Sequence, residues 1–154
     1  MTGIPSLDVV RRVVRSLEEC GLEAAIGGSG LLAALGLTEV VRDWDVTTDG
    51  PVSDVEAALG RTGFPYRERA AGEGDFASVA RYIVDGGLHE VDVIVGFAVR
   101  LDGRTIELPA RVSGLWCGLP LADPVVWEQA YRLLGNGLKA DLLSRWNASV
   151  GPIT

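Results

Sequence analysis

Residues 43–48 read Asp-Trp-Asp-Val-Thr-Thr, and the strict alternation of acid with apolar residue has the period of a β-strand. Alternate side chains of a strand share a face, so Asp43 and Asp45 point one way while Trp44 and Val46 point the other. A buried parallel strand should not carry two carboxylates on one face. Two readings follow. Either the acids are a solvated edge, or something cationic sits between them. Their Cα atoms are expected about 6.5–7 Å apart, within joint reach of one divalent ion. Oxygen-only ligands suit Mg²⁺ or Mn²⁺.

A second strand pattern, "HEVDVIV", places Asp92 between Val91 and Val93. If it lies beside the first, three carboxylates converge. Glu90 shares the face of Asp92 and could substitute for it, whereas His89 falls on the opposite face, where a surface or packing role is expected. Upstream, Gly27-Gly28-Ser29 separates the short apolar run "LEAAI" from "GLLAALGL", a strand-to-helix junction. Glycines there admit close backbone approach, and Ser29 with a helix N-terminus can hold a phosphate. One half of the pattern is suited to phosphate and the other to metal, and phosphoryl or nucleotidyl transfer needs both.

The same residues fit a dinucleotide fingerprint, with Gly28, Gly30 and Ala33 spaced as G-x-G-x-x-A and Asp49 about twenty residues on. Against that Rossmann reading, the helix ends early at Gly36, and a buried parallel strand would not carry Asp43 and Asp45.

The remaining pattern indicates an α/β (α+β) domain with a mixed sheet. A helix is expected over "SLDVVRRVVRSLEEC", capped by Ser6 and stopped by Gly21, and another over "DVEAALGRTG", with Ser53 and Glu56 spaced as a capping box. Hairpins are expected at Gly86-Gly87 and around "LDGR". Asp123-Pro124 opens a helix with cap and first-turn proline in order, and "GLKADLLSRW" is a final short helix. Residues 1–154 are expected to form a single domain, with a core over 1–110 and a helical part over 111–154.

Composition bounds the partners. At 154 residues, with 47% hydrophobic and 23% charged residues, the chain can bury a core without disulfides or metal staples. Cys20 and Cys117 match no metal-ligand spacing and are expected to be reduced, in a cytoplasmic setting. No stretch has the length of a membrane span or the pattern of a signal peptide. The formal net charge of −7 argues against a large nucleic-acid footprint, yet one nucleotide needs only local cations. Arg42, beside the paired acids, either holds a phosphate or relieves the local charge. Lys139, the only lysine, either contacts nucleotide phosphates or lies on a helix surface. Trp116, Trp127 and Trp146 are expected in the core or at an interface.

Gly-Gly-Ser, a gap of thirteen residues, Asp-apolar-Asp-apolar and a later apolar-Asp-apolar together resemble the signature of the nucleotidyltransferase-fold superfamily. The tail "LADPVVWEQAYRLLGNGLKADLL" is similar to the helical end of small bacterial members. The resemblance implies a mixed sheet flanked by helices and transfer of a nucleoside monophosphate from an NTP to a hydroxyl, with release of pyrophosphate. It implies Mg²⁺ (or Mn²⁺) held by Asp43, Asp45 and Asp92, Asp92 assisting the attacking hydroxyl, and Gly28 and Ser29 anchoring phosphates. Trp44 departs from the commoner Ile or Leu between the acids but stays apolar. Drug-modifying members act on aminoglycosides or lincosamides, and toxin–antitoxin members on RNA or a partner protein. The acceptor is therefore left open between a small molecule, RNA and a protein. The short helical part implies a cleft completed by a homodimer or a helical partner protein. The alternative within the same fold is a non-catalytic module that binds a nucleotide or partner.

Overall fold

The apolar stripe near the start of the chain forms helix α1 (Asp8–Glu19) in a computed structural model that describes residues 4–150. Val10, Val13, Val14 and Leu17 line its buried side, and Gly21 follows it at φ +80°, a left-handed position that favours glycine. The N-cap position falls on Leu7 rather than Ser6, although the Ser6 hydroxyl still accepts the Asp8 N–H at 3.2 Å.

The chain continues through β1 (Ala24–Gly27), α2 (Gly28–Ala34), β2 (Trp44–Thr48), α3 (Val52–Arg61), β3 (Tyr66–Arg69), β4 (Ala80–Asp85) and β5 (Glu90–Val95). Then come β6 (Ala98–Leu101), β7 (Arg104–Glu107), β8 (Val112–Trp116), β9 (Leu119–Ala122), α4 (Pro124–Leu133) and α5 (Gly137–Val150). Seven strands form one sheet in the order β3-β4-β5-β2-β1-β9-β8, with β6 and β7 as a separate ribbon. β2 runs parallel to β5 and β1 parallel to β9, while the other pairs are antiparallel, so the sheet is mixed as expected. α1 packs on α3 and against β1 and β5. Between them lies a core that includes Trp44, Val46, Tyr82, Val91 and Val93.

The antiparallel pairing of β1 with β2 removes the Rossmann reading, which needs parallel strands joined by a crossover helix. α2 is only seven residues long. The capping box at Ser53 is not formed either. Pro51, locked at φ −62°, takes the N-cap position, and Glu56 accepts the Tyr82 hydroxyl at 3.0 Å instead.

Both expected hairpins are present. Asp85 pairs with Glu90 across Gly86-Gly87, and Asp102-Gly103 turns β6 into β7 with φ of 51° and 77°, both positive as a two-residue type I′ turn demands. A third hairpin, β8–β9, occupies 112–122, so the expected helical part begins at Pro124 rather than at 111. Its turn, Cys117-Gly118, has the same signature at φ 53° and 78°, but Cys at the first position hides it from a sequence reading. The exposed strand β3 was likewise not expected. At Asp123-Pro124 the cap forms as read, with the Asp123 carboxylate accepting the Val125 N–H at 2.9 Å. α5 runs on to Val150, past the short helix expected there. Among the described residues no helix is long and apolar enough to cross a membrane.

Candidate active site

Register decides which acids meet. In the parallel pairing of β2 and β5, Asp45 lies beside Asp92 and Trp44 beside Val91, so the two carboxylates occupy one face of adjacent strands. Asp43 precedes β2 instead of lying on it. It is exposed, and its carboxylate accepts the Glu90 N–H at 2.9 Å. Glu90 is drawn outward to Arg67 at 3.4 Å, so Asp92 and not Glu90 stands next to Asp45. His89, expected as a surface or packing residue, is half-buried in the turn before β5, and its Nε2 has no hydrogen-bond partner.

Arg81 is the residue that sequence reading missed. It stands on β4, whose antiparallel register with β5 sets Arg81 opposite Ile94 and Ile83 opposite Asp92. From there its guanidinium reaches diagonally to Asp92, with Nε at 2.9 Å from Oδ1 and 3.0 Å from Oδ2, and Nη2 also bonded to Oδ2. Asp92 is 9% exposed, so this two-pronged contact compensates a buried charge. The hydrogen bond to Asp92 pushes the Arg81 pKa up from its ordinary value. Only the pairing of β4 with β5 reveals the contact, because Arg81 and Asp92 sit in different strands with no shared motif.

Asp45 has no such partner. It is half-buried, and among the described residues it forms no salt bridge. Burial, and then the neighbouring Asp92 carboxylate, raise its pKa to about 7, while Arg81 and Lys139 pull the other way. The Asp45 carboxylate lies so close over Gly28 that a Cβ there would overlap Oδ2, and Gly28 adopts φ +58°. The role of Gly28 seen in the structure is thus to seat Asp45. Gly27 is pressed by the Trp127 ring, and a Cβ at Gly30 would come within 2.8 Å of Trp44. Each glycine of the Gly-Gly-Ser-Gly run leaves room for a particular side chain, and Gly30 admits the unusually large Trp44 between the acids.

Two adjoining cavities meet at these groups. The polar one, about 260 Å³, is walled by Arg42, Asp43, Arg69 and Glu90. The other, about 240 Å³, has apolar walls from Phe76, Ile94, Phe97, Trp127 and Tyr131. Ser29, Asp45, Arg81 and Asp92 line both. Lys139 also lines the apolar cavity, with its ammonium 5.4 Å from the centroid of the Tyr131 ring, so it faces the cleft rather than a helix surface. Burial raises the Tyr131 pKa, and Asp45 adds to the shift. The Trp127 ring packs, tilted, 5.1 Å from Phe97 and 5.6 Å from Tyr131, which makes the wall aromatic. Trp116 instead packs 6.1 Å from Trp44, and Trp146 is half-buried on α5.

The expected convergence of three carboxylates is only partly realised. Among the described residues no three acidic, histidine or cysteine side chains are gathered closely enough to hold one metal ion. Asp43 is spread outward by the Glu90 N–H, and Asp92 is engaged by Arg81. The donor set of Asp43 and Asp45 nonetheless fits a hard divalent cation. Both present oxygen donors to one polar cavity, and among the described residues Asp45 forms no salt bridge.

The sequence matches no protein-family model and no curated protein. Solved structures are similar. A protein of Thermotoga maritima assigned as a nucleotidyltransferase superposes with a TM-score of 0.62 at 21% identity, covering 91% of each chain. The antibiotic-resistance factor ANT(2'')-Ia in solution gives 0.62 at 15% identity, over 93% of this chain and 85% of that one. Its crystal structure with adenylyl-2''-tobramycin gives 0.61 at 15% identity, over 94% and 92%.

Proposed function

We propose that this chain, whose fold is similar to that of solved nucleotidyltransferases, is itself a nucleotidyltransferase moving a nucleoside monophosphate from an NTP to an acceptor hydroxyl. The observation that carries this reading is the register pairing of Asp45 with Asp92 at the junction of a polar and an aromatic cavity. The aromatic walls offer a surface on which a nucleobase stacks, and the polar cavity offers room for phosphates.

In this reading Asp43 and Asp45 would hold Mg²⁺ or Mn²⁺, which would supply positive charge to offset that of the phosphates. The Ser29 hydroxyl, which lines both cavities, orients the phosphates together with Arg42 in the polar cavity, while Lys139 reaches them from the aromatic side. Asp92 accepts the proton of the acceptor hydroxyl. As the new O–P bond forms, the bond from the α-phosphorus to the bridging oxygen breaks, and pyrophosphate leaves. Trp127, Tyr131 and Phe97 keep water from one side of the cleft. A small molecule, an RNA end or a protein hydroxyl would each serve as acceptor, and a second subunit or helical partner would extend the cleft toward it.

One observation favours a second reading, a module that binds nucleotide without turnover: Arg81 already neutralises Asp92. Magnesium-dependent release of pyrophosphate with any acceptor removes that reading.

The first test is thermal stabilisation by each of the four NTPs, with and without Mg²⁺, for the wild type and the double variant D43N/D45N. A ligand that binds only the folded state raises its stability as RT ln(1 + [L]/Kd), so modest affinity registers at millimolar nucleotide. Stabilisation that needs Mg²⁺ and vanishes in the variant is expected. A wild type indifferent to every NTP would sink the proposal.

A further inference from the structure

We infer that Arg69 and Arg81, with Arg42 beside them, form a clamp for a polyphosphate, and that Arg81 exchanges between Asp92 and that anion. The inference rests on the nucleotidyltransferase reading for the identity of the polyphosphate as the tail of an NTP, but its geometry stands apart from it.

The register of β3 and β4 sets Arg69 directly opposite Arg81. Directly opposed side chains of an antiparallel pair share a face, and like charges so placed are destabilising. β3 is an exposed edge strand, so nothing in the core demands an arginine at position 69. The neighbours on that face are matched: Arg67 with Glu90 at 3.4 Å, and Arg81 with Asp92. Among the described residues Arg69 and Arg42 form no ion pair, although the chain carries 21 acidic residues against 14 basic ones. Both line the polar cavity onto which Arg81 also opens. Three guanidinium groups share a space of about 260 Å³ with the carboxylates of Asp43, Asp45, Glu90 and Asp92. That lining suits an anion of several oxyanion groups arriving with a cation, because each fork can engage two oxygens and the carboxylates can take the cation.

Arg81 has two possible partners in that space. In the free protein it compensates the buried Asp92, and withdrawing it would leave that carboxylate bare. It therefore moves to a phosphate only when a cation arriving with the anion takes its place at Asp92. The pair couples the binding of anion and cation, and keeps Asp92 masked until both are present.

Two calorimetric titrations test this. In the first, inorganic tripolyphosphate as its magnesium complex is titrated into the wild type and R69Q, a substitution on the exposed edge that spares the core. Wild-type binding that weakens about tenfold or more in R69Q is expected from the loss of charge-assisted hydrogen bonds. No binding by the wild type, or equal binding by R69Q, overturns the clamp. In the second, Mn²⁺ alone is titrated into the wild type, R81Q and R81Q/D92N. R81Q is expected to bind Mn²⁺ about tenfold or more tightly than the wild type, as Asp92 is unmasked, and the double variant is expected to lose that gain. Equal Mn²⁺ affinity in the wild type and R81Q overturns the exchange. Circular dichroism confirms folding. If R81Q does not fold, R81K replaces it: its single ammonium grips Asp92 less firmly, so its Mn²⁺ affinity must exceed that of the wild type, and equality overturns the exchange. Tripolyphosphate binding that depends on Arg69 in a protein that transfers to no acceptor upholds the clamp while the transferase reading fails. NTP turnover with an unchanged KM in R69Q does the reverse.

Discussion

Asp45 and Asp92 stand side by side on the parallel strands β2 and β5, yet only Asp92 is held by an arginine. The asymmetry leaves Asp45 as the uncompensated charge of the cleft, and it fixes the direction of several measurable effects.

The first concerns pH. Burial and Asp92 raise the Asp45 pKa from 3.8 to about 7, so between these values the folded state binds a proton that the unfolded state has released. Stability from this group is therefore full below about pH 4 and is lost as pH rises through about 7. In EDTA, D45N is expected to melt higher than the wild type at pH 8, by on the order of 1–3 kcal/mol, with the gap closing toward pH 4. Denaturant midpoints across that range measure it. A gap that widens on acidification would contradict the assignment.

The second concerns Gly28. Its φ of +58° disfavours any side chain by roughly 1–2 kcal/mol, and a Cβ would overlap the Asp45 carboxylate. Gly28→Ala is expected to lower the melting temperature and also to displace Asp45, so that nucleotide no longer stabilises the protein. A variant that melts low but keeps its full nucleotide response would show that Asp45 had not moved.

The third concerns the tryptophan between the acids. Trp44 is fully buried against Gly30, so W44L is expected to cost about 2–4 kcal/mol by leaving a cavity. Gly30→Ala is expected to cost about 1–3 kcal/mol by crowding the ring. The two faults are complementary, so the double variant is expected to be more stable than the sum of the single losses allows. Additive losses in urea unfolding would mean that the ring and the glycine do not compete for the same space.

The sequence by itself determined the local elements whose signals repeat along a few neighbouring residues. The stripe of α1, the Asp123-Pro124 start of α4 and the Asp102-Gly103 turn are all local chemistry, set by side-chain periodicity, capping and positive φ. The spacing of Gly28-Ser29, Asp45 and Asp92 was legible for the same reason, since Gly28-Ser29 directly follows β1 and each aspartate stands between apolar residues of its strand. What pairs with what was decided only in three dimensions. Arg81 reaches Asp92 because β4 lies antiparallel to β5, and Arg69 faces Arg81 because β3 joins at the edge. Asp43 left the strand for the Glu90 N–H, and Lys139 turned into the cleft beside Tyr131. Strand register couples residues far apart in sequence, and the charge a buried carboxylate keeps depends on which of those distant neighbours reaches it.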